Sequence, residues 1–254
     1  MPVSYEEFRG KFTFRPLLRG HVGVEREFFL TGGDRQPVPR SHEFLELVDD
    51  AAWTYELSGC QVEHRTQPCG TAGTLRNNLV LGRKRGERAA RKLGLRLSVM
   101  EVGPEDMPLA IYPHDPRYAQ IAERIGEEKL RAACRVTGVH LHIGVVSLYE
   151  AIQVHNRFVP YVVDLCRLGD HSSGERLRLY SQMAIRGEPP IYRSPQHFYE
   201  VACAANFADN PRNCWDLVRI SRHGTVELRM FGMTSDTDEI LHWVDMVLEV
   251  AELG

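Results

Sequence analysis

The stretch His21-Val22-Gly23-Val24-Glu25-Arg26-Glu27-Phe28-Phe29-Leu30 decides how this chain folds. Successive side chains of an extended strand alternate between its two faces. Val22, Val24 and Phe28 therefore point one way, and Glu25 and Glu27 the other. The same period of two recurs three times. In residues 60–65, Cys60 and Val62 oppose Gln61, Glu63 and Arg65. In residues 139–145, Val139, Leu141, Ile143 and Val145 oppose His140 and His142. In residues 225–231, Val226, Leu228 and Met230 oppose Thr225, Glu227 and Arg229. A parallel sheet covered on both faces would show nearly continuous apolar strands. These strands are half-polar, so the pattern predicts an α+β fold. Its sheet is mainly antiparallel, with helices packed on one face and a polar, open face opposite.

Helices fill the intervals. Residues 74–93 predict a basic helix with Leu75, Leu79 and Leu93 as a sparse apolar stripe. Asp115-Pro116 reads as an N-cap followed by proline at the first helical position, with Tyr118, Ile121 and Ile125 turned inward. Ser147-x-x-Glu150 is a capping-box pattern ahead of an apolar run through Ile152, Val159, Val163 and Cys166. Ser194-Pro195 opens a helix through Phe198, Val201 and Ala205. The last helix starts near Asp236 and carries Ile240, Trp243, Val244, Val247 and Ala251 on one face.

The chain has 254 residues, 43% of them hydrophobic. That suits one large domain spanning 1–254, ahead of two small ones. A net charge of −3 provides no global field toward nucleic acid or an anionic membrane, and neither is expected as a partner. The N-terminal stretch is too charged for a signal peptide or membrane anchor. Six cysteines, none in a Cys-x-x-Cys pair, read as reduced thiols of a cytoplasmic protein, not as a zinc site. The run Arg83-Lys84-Arg85 with Arg88, Arg91 and Lys92 lacks the interleaved aromatics of an RNA-binding surface and reads as a solvated helix face. Gly70-Thr71-Ala72-Gly73-Thr74 reads as a helix cap ahead of a phosphate cradle. Trp243 is expected in the core or at a subunit interface. A homo-oligomer formed through sheet edges or the last helix is left open.

The polar alternates carry the chemistry. Glu25, Glu27, Glu63 and Glu227 would bring four carboxylates to one face, and like charges in a partly desolvated site need compensation. Hard cations such as Mg²⁺ or Mn²⁺ supply it, and one imidazole is compatible with either. Arg229, two residues beyond Glu227, would aim a guanidinium at the same cleft, suited to a phosphate.

Four ordered motifs resemble the bacterial carboxylate-amine ligases of glutamate-cysteine ligase type 2, within the glutamine synthetase superfamily. Gly23-Val24-Glu25-Arg26-Glu27-Phe28-Phe29 resembles that family's opening strand, and Gln61-Val62-Glu63 its second acidic strand. Thr137-Gly138-Val139-His140-Leu141-His142-Ile143-Gly144-Val145 is similar to its histidine strand. Trp215-Asp216-Leu217-Val218-Arg219 with His223-Gly224-Thr225-Val226-Glu227-Leu228-Arg229 is similar to its last signature. The resemblance implies a curved, glutamine synthetase-like sheet whose concave face is the active site. It implies that Glu25, Glu27, Glu63, His140 and Glu227 hold two or three divalent ions. His142 and Arg229 would face the phosphates of ATP or the acyl phosphate, and Arg219 would help bind a substrate carboxylate or phosphate. The implied reaction is ATP-dependent amide formation between a carboxylate, with the glutamate γ-carboxyl as the family's example, and an amine, through an acyl phosphate. It also implies a shortened member, cut down between Cys166 and Tyr180, where Ser173-Gly174-Glu175-Arg176 is similar to the family's serine-arginine segment. Three rivals are a phosphotransferase on the same scaffold, a nucleotide- or metal-binding protein without turnover, and a zinc hydrolase built on His140 and His142.

Overall fold

The computed structural model describes residues 3–183 and 188–253. Seven strands form one sheet: β1 (Val22–Thr31), β2 (Trp53–Tyr55), β3 (Gln61–Arg65), β4 (Arg96–Ser98), β5 (Gly138–Gly144), β6 (Val218–Ser221) and β7 (Thr225–Gly232). Their order is β2-β3-β1-β5-β7-β6, and β4 pairs with the far end of β1. Every pairing is antiparallel, as the half-polar alternation predicts. The helices are α1 (Tyr5–Arg9), α2 (Ser41–Val48), α3 (Ala72–Lys92), α4 (Pro116–Ile125), α5 (Glu127–Arg135), α6 (Leu148–Phe158), α7 (Val162–Leu168), α8 (Glu175–Met183), α9 (Pro195–Ala204) and α10 (Thr237–Ala251). No helix among the described residues is long and apolar enough to cross a membrane.

The apolar alternates Val24, Phe28, Val62, Val139, Leu141, Ile143, Val226 and Leu228 are buried in one core with Leu75 and Leu79 of α3, Phe158 of α6 and Trp243 of α10. Trp243 is thus a core residue. Arg26, between Glu25 and Glu27, necessarily faces this core too. Its guanidinium donates to the Leu79 carbonyl at 2.7 Å and meets His64 Nδ1 at 3.1 Å. Burial lowers His64 to about 3, so its ring is neutral and can accept that bond.

The starts of the expected helices follow their caps. Thr71, Asp115, Ser147 and Ser194 each accept a backbone N–H from the first turn. Asp236 caps α10 in the same way. The glycine-rich segment before α3 is therefore a cap. The basic face of α3 is solvated and laced with ion pairs, Arg83–Glu87 at 2.8 Å and Arg85–Asp50 at 2.7 Å.

Two expectations need correction. The run after Ser147 is not one helix. Pro160 has no N–H to donate and its ring clashes with the preceding turn, so α6 stops at Phe158, a 3-10 turn spans Val159–Tyr161, and α7 restarts. The restart rotates the apolar stripe: Leu165 and Cys166 are buried, whereas Val163, expected inward, is 53% exposed. The second concerns β7. Val139 pairs with Phe231, yet Leu141 pairs with Leu228, so β7 carries one extra residue, a β-bulge. The bulge turns Phe231 into the core, where it stacks on Trp243 with ring centroids 4.8 Å apart. Strict alternation would have left it on the polar face.

The stripe of α3 is sparse because the helix lies close against the sheet. Gly82 and Gly86 continue it, and a Cβ at Gly86 would stand 2.2 Å from the Trp53 ring, itself wedged among Phe28, Phe44 and His64. Gly→Ala inside a helix normally stabilises by up to about 1 kcal/mol. Here the sign should reverse: Gly86→Ala is expected to destabilise by roughly 1–3 kcal/mol through overpacking, read from the midpoint of urea unfolding.

Candidate active site

Strand register assembles the site. On the polar face Glu25 lies opposite His140, Glu27 opposite Glu63, and His142 opposite Glu227. Arg219 on β6 lies on the other side of Glu227. Directly opposed side chains in an antiparallel pair start about 4.5–5.5 Å apart at Cβ, so each strand delivers its group beside its neighbour's. All of these, with Arg229, line one cleft of about 240 Å³, whose walls also include Glu56, Tyr118, Arg176, Tyr180, Arg212 and Trp215. A second hollow of about 380 Å³ shares Glu25, His142 and His223 with it and adds Arg15 and Arg65.

The contacts are close. His140 Nδ1 lies 3.4 Å from Glu25 and its Nε2 3.6 Å from Glu27. His142 Nε2 lies 3.2 Å from Glu25 and 4.0 Å from Glu227, while its Nδ1 meets the Thr225 hydroxyl at 2.9 Å. Glu27 accepts the Gly138 N–H at 2.8 Å. Glu227 is fully buried between two guanidinium groups, accepting from Arg219 Nε at 2.6 Å and from Arg229 Nη1 at 2.5 Å. Arg229 Nε donates to the Tyr180 hydroxyl at 2.8 Å.

This geometry divides the site electrostatically. Burial pushes Glu25 up, but the imidazoles of His142 and His140 outweigh it and hold the carboxyl well below its usual range. Burial likewise opposes the ionisation of Glu227, and Arg219, His142 and Arg229 overcome it. Burial disfavours charge on His142, yet Glu25 and Glu227 raise it. On the other side, burial and then the Glu56 carboxylate push Glu27 up to about 8. Burial, Glu25 and Glu56 drive Glu63 well above the usual range. Burial, aided by Arg229, lowers His140 to about 3. One half of the cleft is ionised and paired; in the other, Glu27 and Glu63 are held toward their protonated forms and His140 is a neutral imidazole.

Three groups of donor atoms each lie within 4.8 Å of one another: Glu25, His142 and Glu227; Glu25, Glu63 and His140; Glu27, Glu56 and Glu63. They interlock, because Glu25 and Glu63 each belong to two. Carboxylate oxygens with an occasional imidazole suit Mg²⁺ or Mn²⁺ better than zinc, which favours nitrogen and sulfur. All five sequence-proposed ligands, Glu25, Glu27, Glu63, His140 and Glu227, thus fall within these groups. His142, expected to face phosphates, lies on the cleft wall in one of these groups, beside Glu25 and Glu227. Arg219 and Arg229 reach the cleft but hold Glu227, each keeping further N–H donors.

Sequence reading gave no site role to Glu56, Arg176 or Tyr180, although Arg176 closes the segment similar to the family's serine-arginine segment. Glu56 had a signal: Trp53-Thr54-Tyr55-Glu56 alternates, and Thr54 pairs with Glu63, which puts Glu56 on the polar side. A strand of three residues is too short to show that period. Arg176 and Tyr180 lie on α8, and nothing local to that helix announces the strands it meets.

A sequence model of glutamate-cysteine ligase family 2 matches residues 21–164, more than half of the chain. The chain belongs to glutamate-cysteine ligase family 2. The matched region contains Glu25, Glu27, Glu63, His140 and His142, while Glu227 and Arg229 lie beyond it. Among curated relatives, one named "Putative glutamate--cysteine ligase 2-2" from Mycobacterium sp. (strain KMS) is 28% identical over 229 residues, covering 82% of this chain and 62% of the relative. A protein of the same name from Mycolicibacterium vanbaalenii is 27% identical over 250 residues, covering 89% of this chain and 66% of the relative. The chain thus spans somewhat under two thirds of these relatives' length. Among solved structures, a bifunctional glutathione synthetase from Pasteurella multocida superimposes with a TM-score of 0.62 at 14% identity, covering 93% of this chain and 41% of that one. At that identity the likeness concerns the fold.

A cation entering beside Glu27 and Glu63 must displace their protons, since a ligating carboxylate is ionised. Glu27 holds its proton below about 8, and Glu63 is raised in the same sense, so Mg²⁺ affinity should rise with pH through neutrality. Titration calorimetry at pH 7 in buffers of different ionisation enthalpy should detect proton release on Mg²⁺ addition; a buffer-independent heat would contradict the assignment.

Proposed function

We propose that this chain is an ATP-dependent ligase joining a carboxylate to an amine, with residues 1–254 as one catalytic domain of the glutamine synthetase-like kind. The observation that carries the reading is the interlocked set of three donor groups on the sheet's polar face, in a chain that belongs to a ligase family. Glu25, Glu27, Glu63, His140 and Glu227 would hold two or three Mg²⁺ or Mn²⁺ ions, with Glu56 and His142 completing the groups. When bound, such ions neutralise charge on phosphate oxygens during transfer.

A carboxylate is a poor acyl donor because its leaving group would be oxide. Transfer of the ATP γ-phosphoryl group to it gives an acyl phosphate and ADP. The amine nitrogen then attacks the acyl carbon, loses a proton, and phosphate departs. Arg229 and Arg219, anchored on Glu227, would offer their remaining N–H donors to the migrating phosphoryl group, where preorganised charge is worth most. The resemblance makes the glutamate γ-carboxyl the first acid to test. All six cysteines are free, in keeping with the reducing cytoplasm.

A screen with Mg²⁺, ATP, glutamate and a panel of amines should release ADP and form a new amide in equal amounts, read by mass spectrometry. ADP with a phosphorylated acceptor and no amide would indicate a phosphotransferase instead. Glu25→Gln and Glu27→Gln should each fold normally and lose metal-dependent ADP release by about 10²-fold or more. Wild-type turnover in both would sink the reading.

A further inference from the structure

We propose that Arg176 and Tyr180, one turn apart on α8, are positioning residues that set the guanidinium of Arg229 in the cleft. The kinetic consequence rests on the ligase reading; the geometry does not. The β7 bulge slips the ladder against β5 between Val139 and Leu141, and a bulge leaves backbone groups without their usual strand partners. The Arg176 guanidinium enters this gap. It donates to the carbonyls of Thr137 at 2.7 Å, Met230 at 3.0 Å and Arg229 at 3.0 Å, so it ties the residue just before β5 to both bulged residues of β7. Arg176 is 3% exposed. Its slot exists because residue 138 is glycine: a Cβ there would stand 2.3 Å from Arg176 Nη2.

Tyr180 completes the grip. Its ring lies beside both guanidinium groups, 5.8 Å from Arg176 and 6.0 Å from Arg229, centroid to Cζ. Its hydroxyl accepts Arg229 Nε at 2.8 Å. Arg229 is therefore held at its carbonyl by Arg176, at Nε by Tyr180 and at Nη1 by Glu227. Among the described residues two of its five N–H donors are engaged, on the wall of the cleft that the carboxylate groups share. A bulge beside an active site re-aims a side chain, and here α8 holds the re-aimed one. A residue that only stapled the sheet would affect stability; a positioning residue affects turnover through Arg229.

The test compares Tyr180→Phe, Arg176→Lys, Arg229→Lys and the double variant Tyr180→Phe/Arg229→Lys in metal-dependent ADP release, with melting temperatures in parallel. Tyr180→Phe should keep its melting temperature and its KM for the acid, and lose about tenfold in kcat, the scale of one hydrogen bond to a charged group. Arg176→Lys should lose kcat in the same sense. The double variant should be no slower than Arg229→Lys, because groups acting through one another are not additive. Unchanged kcat in Tyr180→Phe, or losses that multiply in the double variant, would overturn the proposal. Should Arg176→Lys fail to fold, Tyr180→Phe and the double variant still decide. Should the wild-type protein release no ADP, the ligase reading fails. Positioning is then judged by ¹⁵N NMR of the Arg229 Nε–H, assigned by its loss in Arg229→Lys. Its resonance should shift or broaden in Tyr180→Phe, and an unaltered one overturns the proposal.

Discussion

Carboxylates crowded on one face of an antiparallel sheet are the constraint around which this structure is organised. Opposed residues in such a ladder cannot avoid one another, and the register sets Glu27 against Glu63 and Glu25 against His140. Like charges at that spacing are tolerated only with compensation. The chain supplies two kinds. Around Glu25 and Glu227 it places His142, Arg219 and Arg229, so the carboxylates stay ionised. Around Glu27 and Glu63, beside the Glu56 carboxylate, it places too little positive charge, and both are held toward their protonated forms.

The opposite face makes that crowding sustainable. Repulsion among the acids would splay the strands if the sheet were free to bend. It is backed by a core in which α3 approaches closely enough that glycine stands where a side chain would collide with Trp53 or His64. Arg26 lies on the core side between two site glutamates, its charge anchored to a helix carbonyl and a neutral imidazole. Rigid packing behind and crowded carboxyl groups in front are complementary: the first holds the spacing that repulsion among the second would widen.

Much of this was legible in the sequence, for a definite reason. Strands β1, β5 and β7 are long enough for a period of two to show, and one of their faces is apolar. Their polar alternates, Glu25, Glu27, His140, His142 and Glu227, could therefore be assigned to a common side before any register was known. Glu63 followed from a shorter strand with the same pattern. The helix caps at Thr71, Asp115, Ser147, Ser194 and Asp236 were equally local, since a cap involves residues only two or three apart. Strands β2 and β4, of three residues each, were too short for any period, and Glu56 was lost with them. Pro160 was visible, but its consequence, the outward turn of Val163, depends on where the chain restarts.

The sequence by itself determined which residues share a face, because alternation is a property of one strand. The antiparallel arrangement also followed, because half-polar strands cannot be covered on both sides. Only the tertiary structure decided which groups meet. Register pairs Glu25 with His140 and His142 with Glu227, which sets each imidazole beside a particular carboxylate. The bulge in β7 sends Phe231 to Trp243, and Arg176 and Tyr180 reach Arg229 from a helix some 50 residues earlier in the chain. Such contacts depend on strand offset and helix placement. Both are set by packing of the whole core, and no short window of sequence contains that information.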